Sequence, residues 1–316
     1  MTQIGCYIPP SRKPGVLGVH SVDHFCLAVP NLADAENFYA NFGLDVRSQG
    51  NTLALHTDGR THRWGRIVEG PRKKLQMMSF GCFEEDLPRF AAHLQARGIT
   101  RMDPPEGTNQ DGLWFLDCDG TPVEIKVAAK SSPNEKAKFG DVSGPSNLRN
   151  APLRGMAAPV RPRRLSHVLM FVRDLERSIA FYTSIMGLRV SDRTNFVAFL
   201  HGVHGSDHHM LAFAQSDAPG FHHCSWDVGT VNEVGVGAAS MADKGHTRGW
   251  GLGRHVLGSN FFHYVRDPWG SYAEYSADID YVPVEADWEA RTHAMENSLY
   301  LWGPAPPSDF VTNYEA

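Results

Sequence analysis

Two histidines and one glutamate in the second half of the chain have the types and setting of a metal site. His167 sits in Leu165-Ser166-His167-Val168-Leu169-Met170-Phe171-Val172, with four residues between it and Val172. His223 sits in Phe221-His222-His223-Cys224-Ser225-Trp226, with four residues between it and Val228. Both runs carry the β-branched and aromatic residues that suit strands. Glu274 closes a third run: strand residues 261–265, the turn Asp267-Pro268-Trp269-Gly270, then Ser271-Tyr272-Ala273-Glu274. Asp-Pro with a following Gly is strong turn chemistry. Alternation puts Glu274 on the face of Tyr272. Two imidazoles and a carboxylate fill three positions of a six-coordinate metal and leave three open. That suits a non-haem Fe(II) enzyme holding substrate and O2 together; Mn(II) is a second candidate for the same ligands. The shared spacing to Val172 and Val228 favours His223 over His222 as ligand. His208 and His222, the first members of two His-His pairs, are expected on the opposite strand face.

The elements that must carry these residues occur twice. Val22–Val29 reads as a strand containing His24, and Asn31 then opens a helix through Phe38 and Tyr39 to Gly43. The second copy has the 165–172 strand and a helix from Asp174 through Phe181 and Tyr182 to Gly187. His24 to Tyr39 and His167 to Tyr182 are both 15 residues. Asn31 and Asp174 stand at N-cap positions. Asp117–Glu124 matches Asp267–Glu274, with Asp to Glu seven residues and Gly to Glu four in each. Strands at 75–80 and 221–226 precede helices at 85–97 and 231–244. The chain therefore reads as α+β, with two tandem modules of paired βαβββ units. The expected divisions are a first module over 1–135, a linker over 136–164, a second module over 165–285 and a tail over 286–316.

The first copy has His24, Met77 and Glu124 where the second has His167, His223 and Glu274. With one ligand replaced, it is expected to bind no metal. Trp64, Trp114, Trp226 and Trp250 read as packing residues, and Arg161-Pro162-Arg163-Arg164 as a solvated linker end. In the tail, 288–297 reads as helix-like. Tyr300, Trp302, Phe310 and Tyr314 are costly to leave bare, so the tail is expected on the core or in a subunit contact.

The closing run of the second copy carries a family resemblance. Gly253-Arg254-His255 is followed by Val256–Phe262, then His263-Tyr264-Val265-Arg266-Asp267-Pro268-Trp269-Gly270-Ser271-Tyr272-Ala273-Glu274. This resembles the signature of type I extradiol ring-cleaving dioxygenases of the vicinal oxygen chelate superfamily, over roughly residues 20–285. His263 departs from it, standing where an apolar residue is usual. The resemblance implies a curled, mostly antiparallel sheet or funnel around a central cavity in each module. It implies His167, His223 and Glu274 as ligands of Fe(II). It implies His209, in Asp207–Phe213, as acid/base, with His255 and Tyr264 bonding substrate or oxygen. The implied reaction is extradiol cleavage of a catechol-type or trihydroxylated ring, with both atoms of O2 incorporated, in aromatic-compound catabolism. His209 is expected to titrate near neutral pH. Homo-oligomers are also expected. Hydroxyphenylpyruvate dioxygenase is similar in its modules and triad but lacks the His209, His255 and Tyr264 set. Glyoxalase-like isomerases take ligands from four strand positions. A metal-free aromatic-binding protein would not need the triad kept in copy two.

Composition removes other classes. The 316 residues are 42% hydrophobic and carry a net charge of -5. That argues against a nucleic-acid surface. No run of about 18 apolar residues suggests a membrane span. Nothing in the first residues, broken by Pro9, Pro10 and Pro14, reads as a signal peptide. The five cysteines, Cys6, Cys26, Cys82, Cys118 and Cys224, show no paired spacing, which suits free thiols in a cytoplasmic protein.

Overall fold

The computed structural model describes residues 10–140 and 144–316. Cys6 and the first part of the N-terminal arm lie outside them. The first module runs β1 (Ser21–Val29), α1 (Leu32–Phe42), β2 (Asp45–Gln49), β3 (Thr52–His56), β4 (Arg63–Glu69), β5 (Lys74–Cys82), α2 (Leu87–Ala96), β6 (Leu113–Leu116) and β7 (Pro122–Val127). The second runs β8 (Arg164–Val172), α3 (Leu175–Ser184), β9 (Arg189–Arg193), β10 (Val197–His201), β11 (Ser206–Asp207), β12 (Leu211–Gln215), β13 (Gly220–Asp227), α4 (Val231–Asp243), β14 (Gly249–Arg254), β15 (Phe261–Arg266) and β16 (Tyr272–Ala277). Two short tail strands follow, β17 (Tyr281–Val282) and β18 (Arg291–Thr292).

The two sheets share one plan. The first has the order β2-β3-β4-β1-β5-β7-β6, and the second contains β9-β10-β12-β8-β13-β16-β15 in the matching places. In each, an antiparallel central pair (β1/β5, β8/β13) is flanked by parallel neighbours (β4 and β7, β12 and β16). The remaining pairs of these two matching series are antiparallel. Strand β1 is buried along its whole length, which explains its unbroken apolar run. Strands β14 and β18 extend the second sheet at its two edges. The first module lacks an equivalent of β14: Arg101 and Phe115 form only an isolated bridge there. Its second unit therefore has two strands after the helix, not the expected three.

Local chemistry sets the joints. Asn31 Oδ1 accepts from the Ala33 and Asp34 N–H groups, and Asp174 Oδ1 from Arg177 N–H. Both satisfy donors that a helix start leaves bare. In the repeated turn, Asp267 Oδ1 accepts from the Trp269 and Ser271 N–H groups, each at 2.9 Å. Asp117 Oδ1 does the same with Asp119 and Thr121. The glycine of each turn has positive φ, +101° at Gly270 and +88° at Gly120, which other residues adopt at a cost. The shared Asp and Gly thus close the same turn in both copies.

The repeated helix motif also joins the modules. Tyr182 O–H donates to Asp117 Oδ2 of the other module at 2.9 Å. Tyr275 stacks on Phe42 at 3.8 Å and donates to its carbonyl. The four tryptophans read as packing residues are all buried.

Two further expectations change. Residues 288–297 are not helical: they hold β18 and a single 3-10 turn at Met295–Asn297. Strand β18 pairs in parallel with β9, and Trp288 Nε1 donates to the Ser191 carbonyl. These long-range partners outweigh local helix preference. Arg164 is not solvated, because its guanidinium lies between Asp207 and Asp227 with its side chain only 13% exposed. In the tail Phe310 is buried, but Trp302 and Tyr314 are each 44% exposed. No described helix is long and apolar enough to cross a membrane.

Candidate active site

Pairing across the second sheet brings the sequence-selected residues into register. His167 on β8 faces Ser225 on β13, and Ser225 faces Glu274 on β16. Glu274 faces Tyr264 on β15, which faces Trp250 on β14. His223 stands two residues before Ser225, opposite Leu169 and Tyr272. Its Nε2 lies 3.2 Å from His167 Nε2 and 3.5 Å from Glu274 Oε2. His167 Nε2 lies 3.2 Å from the same oxygen. All three side chains are buried, and Glu274 Oε2 has no hydrogen-bond donor.

The bonds around His223 assign its protons. His222 Nε2 lies 2.7 Å from the Phe310 carbonyl, which can only accept. So His222 carries its proton there and offers a lone pair at Nδ1. His223 Nδ1, 2.6 Å away, donates to it. That leaves His223 Nε2 bare and aimed at His167 and Glu274. Burial, with His222, His167 and His255 nearby, keeps the His223 imidazole neutral by pushing its pKa well below the usual value. Such a group of facing lone pairs and an unpartnered buried carboxylate oxygen fits a divalent cation.

His222 is therefore not on the opposite face. A bulge between Phe221 and His223 inserts an extra residue against β8, and this breaks simple alternation. His208 departs too. It lies outside the strands, and its Nδ1 is 3.0 Å from His209 Nδ1. His263 sits away from the ligands, across from Tyr275, and burial alone lowers its pKa to about 4.

The other expected residues surround the centre. His209 is buried, with its ring 4.1 Å from that of His167. Burial, then His167, His208, His255 and His223, push its pKa well below the ordinary value, so it does not titrate near neutral as expected. His255 Nδ1 donates to the Leu299 carbonyl at 2.6 Å, so its Nε2 accepts from Tyr264 O–H at 3.0 Å. Burial and then the Glu274 charge raise the Tyr264 pKa, which keeps it a donor. Asn260, not singled out in the sequence, donates to Glu274 Oε1 at 3.1 Å and to Ser276. Its place in the Gly-x-His to Tyr spacer was the available signal.

The first module keeps the row but not the donors. His24, Ser79, Glu124 and Trp114 align as His167, Ser225, Glu274 and Tyr264 do. Ser79 O–H donates to Glu124 Oε2 at 2.5 Å, and Arg63 Nη2 approaches His24 Nε2 at 3.5 Å. A hydroxyl and a guanidinium meet the two groups that a metal would need.

A cavity of about 280 Å³ opens beside the triad. Its walls away from the histidines are mostly apolar, including Leu169, Phe196, Phe199, Leu257, Leu299 and Phe310, with Thr194, Tyr264 and Ser298 as polar exceptions. No lysine or arginine lines it among the described residues. Leu299 and Phe310 come from the tail.

The sequence profile of the Glyoxalase/Bleomycin resistance protein/Dioxygenase superfamily matches residues 21–125 and 164–275, and the chain belongs to that superfamily. Within it the chain falls among the extradiol ring-cleaving dioxygenases. It is 49% identical over 309 residues to Metapyrocatechase 2 of Cupriavidus necator, covering 97% of this chain and 96% of that one. A manganese-dependent 2,3-dihydroxybiphenyl 1,2-dioxygenase of Geobacillus genomosp. 3 is 25% identical over 304 residues, covering 89% and 93%. The fold is shared with homoprotocatechuate 2,3-dioxygenase of Arthrobacter globiformis, with a TM-score of 0.75 at 19% identity, covering 95% of this chain and 94% of that one.

Proposed function

We propose that His167, His223 and Glu274 hold one Fe(II) per chain, and that the substrate is a catechol with an apolar ring substituent. The convergence of three buried donor atoms within 4.8 Å carries the metal reading. The cavity's apolar walls and missing cations carry the substituent: an alkyl or aryl group gains from burial there, whereas a carboxylate would lose its hydration unpaired. The ring bond beside the diol breaks, and both oxygen atoms enter the open-chain product. When bound, the metal would supply Lewis acidity toward the diol and an electron path between ring and O2.

The chain's own groups do the rest. His209, neutral and at the cavity wall, takes a proton from the diol and later returns one to a substrate-derived oxygen. Tyr264, fixed through His255 to the Leu299 carbonyl, orients the ring oxygens. Asn260 holds the Glu274 carboxylate with Oε2 toward the histidines. The apolar walls exclude water from the reacting ring. Four free cysteines among the described residues suit a reducing cytoplasm.

Metal-free protein should be loaded anaerobically with Fe(II) or Mn(II) and given O2 with a panel of catechols. The expected result is O2 uptake with Fe(II), fastest for alkyl- or aryl-catechols, and little with carboxylated ones. No uptake with any catechol, with either metal, would sink the proposal.

A further inference from the structure

Behind His209 lies a second set of polar groups that the reaction above does not use. His209 Nδ1 is 3.0 Å from His208 Nδ1, and His208 Nε2 is 3.0 Å from Asp192 Oδ2. Asp192 Oδ1 in turn accepts from His293 Nε2 at 2.7 Å and from the Arg291 N–H at 3.2 Å. His208 is 1% exposed and packs edge-on to Trp288. Strand β9 supplies Asp192, and the tail supplies both groups on its outer oxygen. Nothing in this set touches His167, His223 or Glu274 except through His209.

We infer that Asp192 and His208 form a relay that stores the proton His209 moves, so that the positive charge rests on His208 and never on His209. The inference rests on His209 being the acid/base group proposed above.

The protons balance as follows. Before substrate binds, His209 carries its proton on Nδ1, donated to His208 Nδ1, and His208 carries its own on Nε2, donated to Asp192. His209 Nε2 is then a bare lone pair facing the cavity. It accepts a proton from the diol, and its Nδ1 proton passes to His208 Nδ1. His209 stays neutral, with the opposite tautomer, and His208 becomes an imidazolium paired with the Asp192 carboxylate. The reverse shift later returns one proton from His209 Nε2 to a substrate-derived oxygen. No other proton enters or leaves.

Physical circumstances favour this division. His208 has the Asp192 carboxylate at 3.0 Å to pair with a positive charge, whereas the hydrogen-bond partner of His209 is His208, with the His167 ring packed against it at 4.1 Å. Asp192 is suited to hold its negative charge: burial pushes its pKa up, but hydrogen bonds from His208 and His293 hold it below the ordinary range. A carboxylate at hydrogen-bond distance from an imidazole also fixes its orientation, as in the serine-protease triad.

The test has two readings. In metal-free protein with 15N-labelled histidine, a scalar coupling between the His208 and His209 Nδ1 atoms is expected across the shared hydrogen; its absence overturns the relay. In Fe(II)-loaded protein, Asp192→Asn keeps the shape and an acceptor for His208 but removes the charge. It should slow single-turnover ring opening by about 10-fold or more, toward the rate of His209→Phe, and enlarge the solvent deuterium isotope effect. Iron content should stay at the wild-type value. An unchanged rate, or a loss matched by weaker iron binding, overturns the relay. His208→Gln should behave alike, which guards against misfolding of one variant. Failure of the wild-type protein to consume O2 would instead strike the dioxygenase reading, with the coupling measurement still standing apart.

Discussion

His223 and Met77 occupy equivalent positions, two residues before Ser225 and Ser79, and among the described residues three donors converge only in the copy that has the histidine. His223→Ala should therefore abolish iron retention, measured as metal per chain after gel filtration. The structure changes what to expect of His222. It accepts from His223 Nδ1 and fixes the tautomer that exposes Nε2. His222→Ala should keep iron but weaken its affinity by about 10–100-fold, read by competition with a chelator, the scale for losing an outer partner of a metal ligand. Equal retention by wild type and both variants would place the metal elsewhere. Equal loss in both would mean that His222 is itself a ligand.

At the scale of elements, the tail is tied to both sheets. Lys73 Nζ and Glu315 Oε1 pair at 2.6 Å, with both side chains 3% exposed. Glu315 also accepts from the Leu75 and Phe221 N–H groups, at the starts of β5 and β13. Breaking a buried pair leaves a charge without a partner. Glu315→Ala should cost about 3–5 kcal/mol of unfolding free energy, and pairing it with Lys73→Met should restore much of that. Chemical denaturation of the four proteins in a double-mutant cycle measures the coupling. Additive losses would show that the pair contributes little. Because Phe310, Leu299 and the Phe310 carbonyl also border the site, a loosened tail should lower substrate affinity as well.

The molecule also buries histidines that are not among the metal ligands. Burial is the largest cause holding His20 and His201 at about 4 in the folded chain. Their unfolded value is about 6.5. Between these values the unfolded chain binds more protons, so stability rises with pH across that window and is lost as pH falls through it. Metal-free protein should show a falling urea midpoint from about pH 7 to about pH 4, with a combined loss of a few kcal/mol. A flat midpoint over that range would contradict the burial of these side chains as neutral groups. Working without metal separates this loss from acid release of the metal.

Much of this was legible in the chain because it is repetitive and periodic. The duplicated Asp-x-x-Gly turn, the strand runs and the N-capping Asn31 and Asp174 are local features, and local chemistry forms them in any context that leaves them exposed to the same neighbours. The alignment of His167, His223 and Glu274 followed from strand spacing and from comparison with His24, Met77 and Glu124. What the sequence did not determine depends on partners far along the chain. The bulge at His222 exists only against β8, so alternation misplaced that side chain. The 288–297 segment forms no helix because β9 offers it strand and side-chain partners. The neutrality of His209 arises from burial among histidines drawn from four separate segments. Its link through His208 to Asp192 likewise needs β9, the 208–210 segment and the tail brought together. Composition and spacing can specify which donors exist, but only tertiary packing decides which protons they hold.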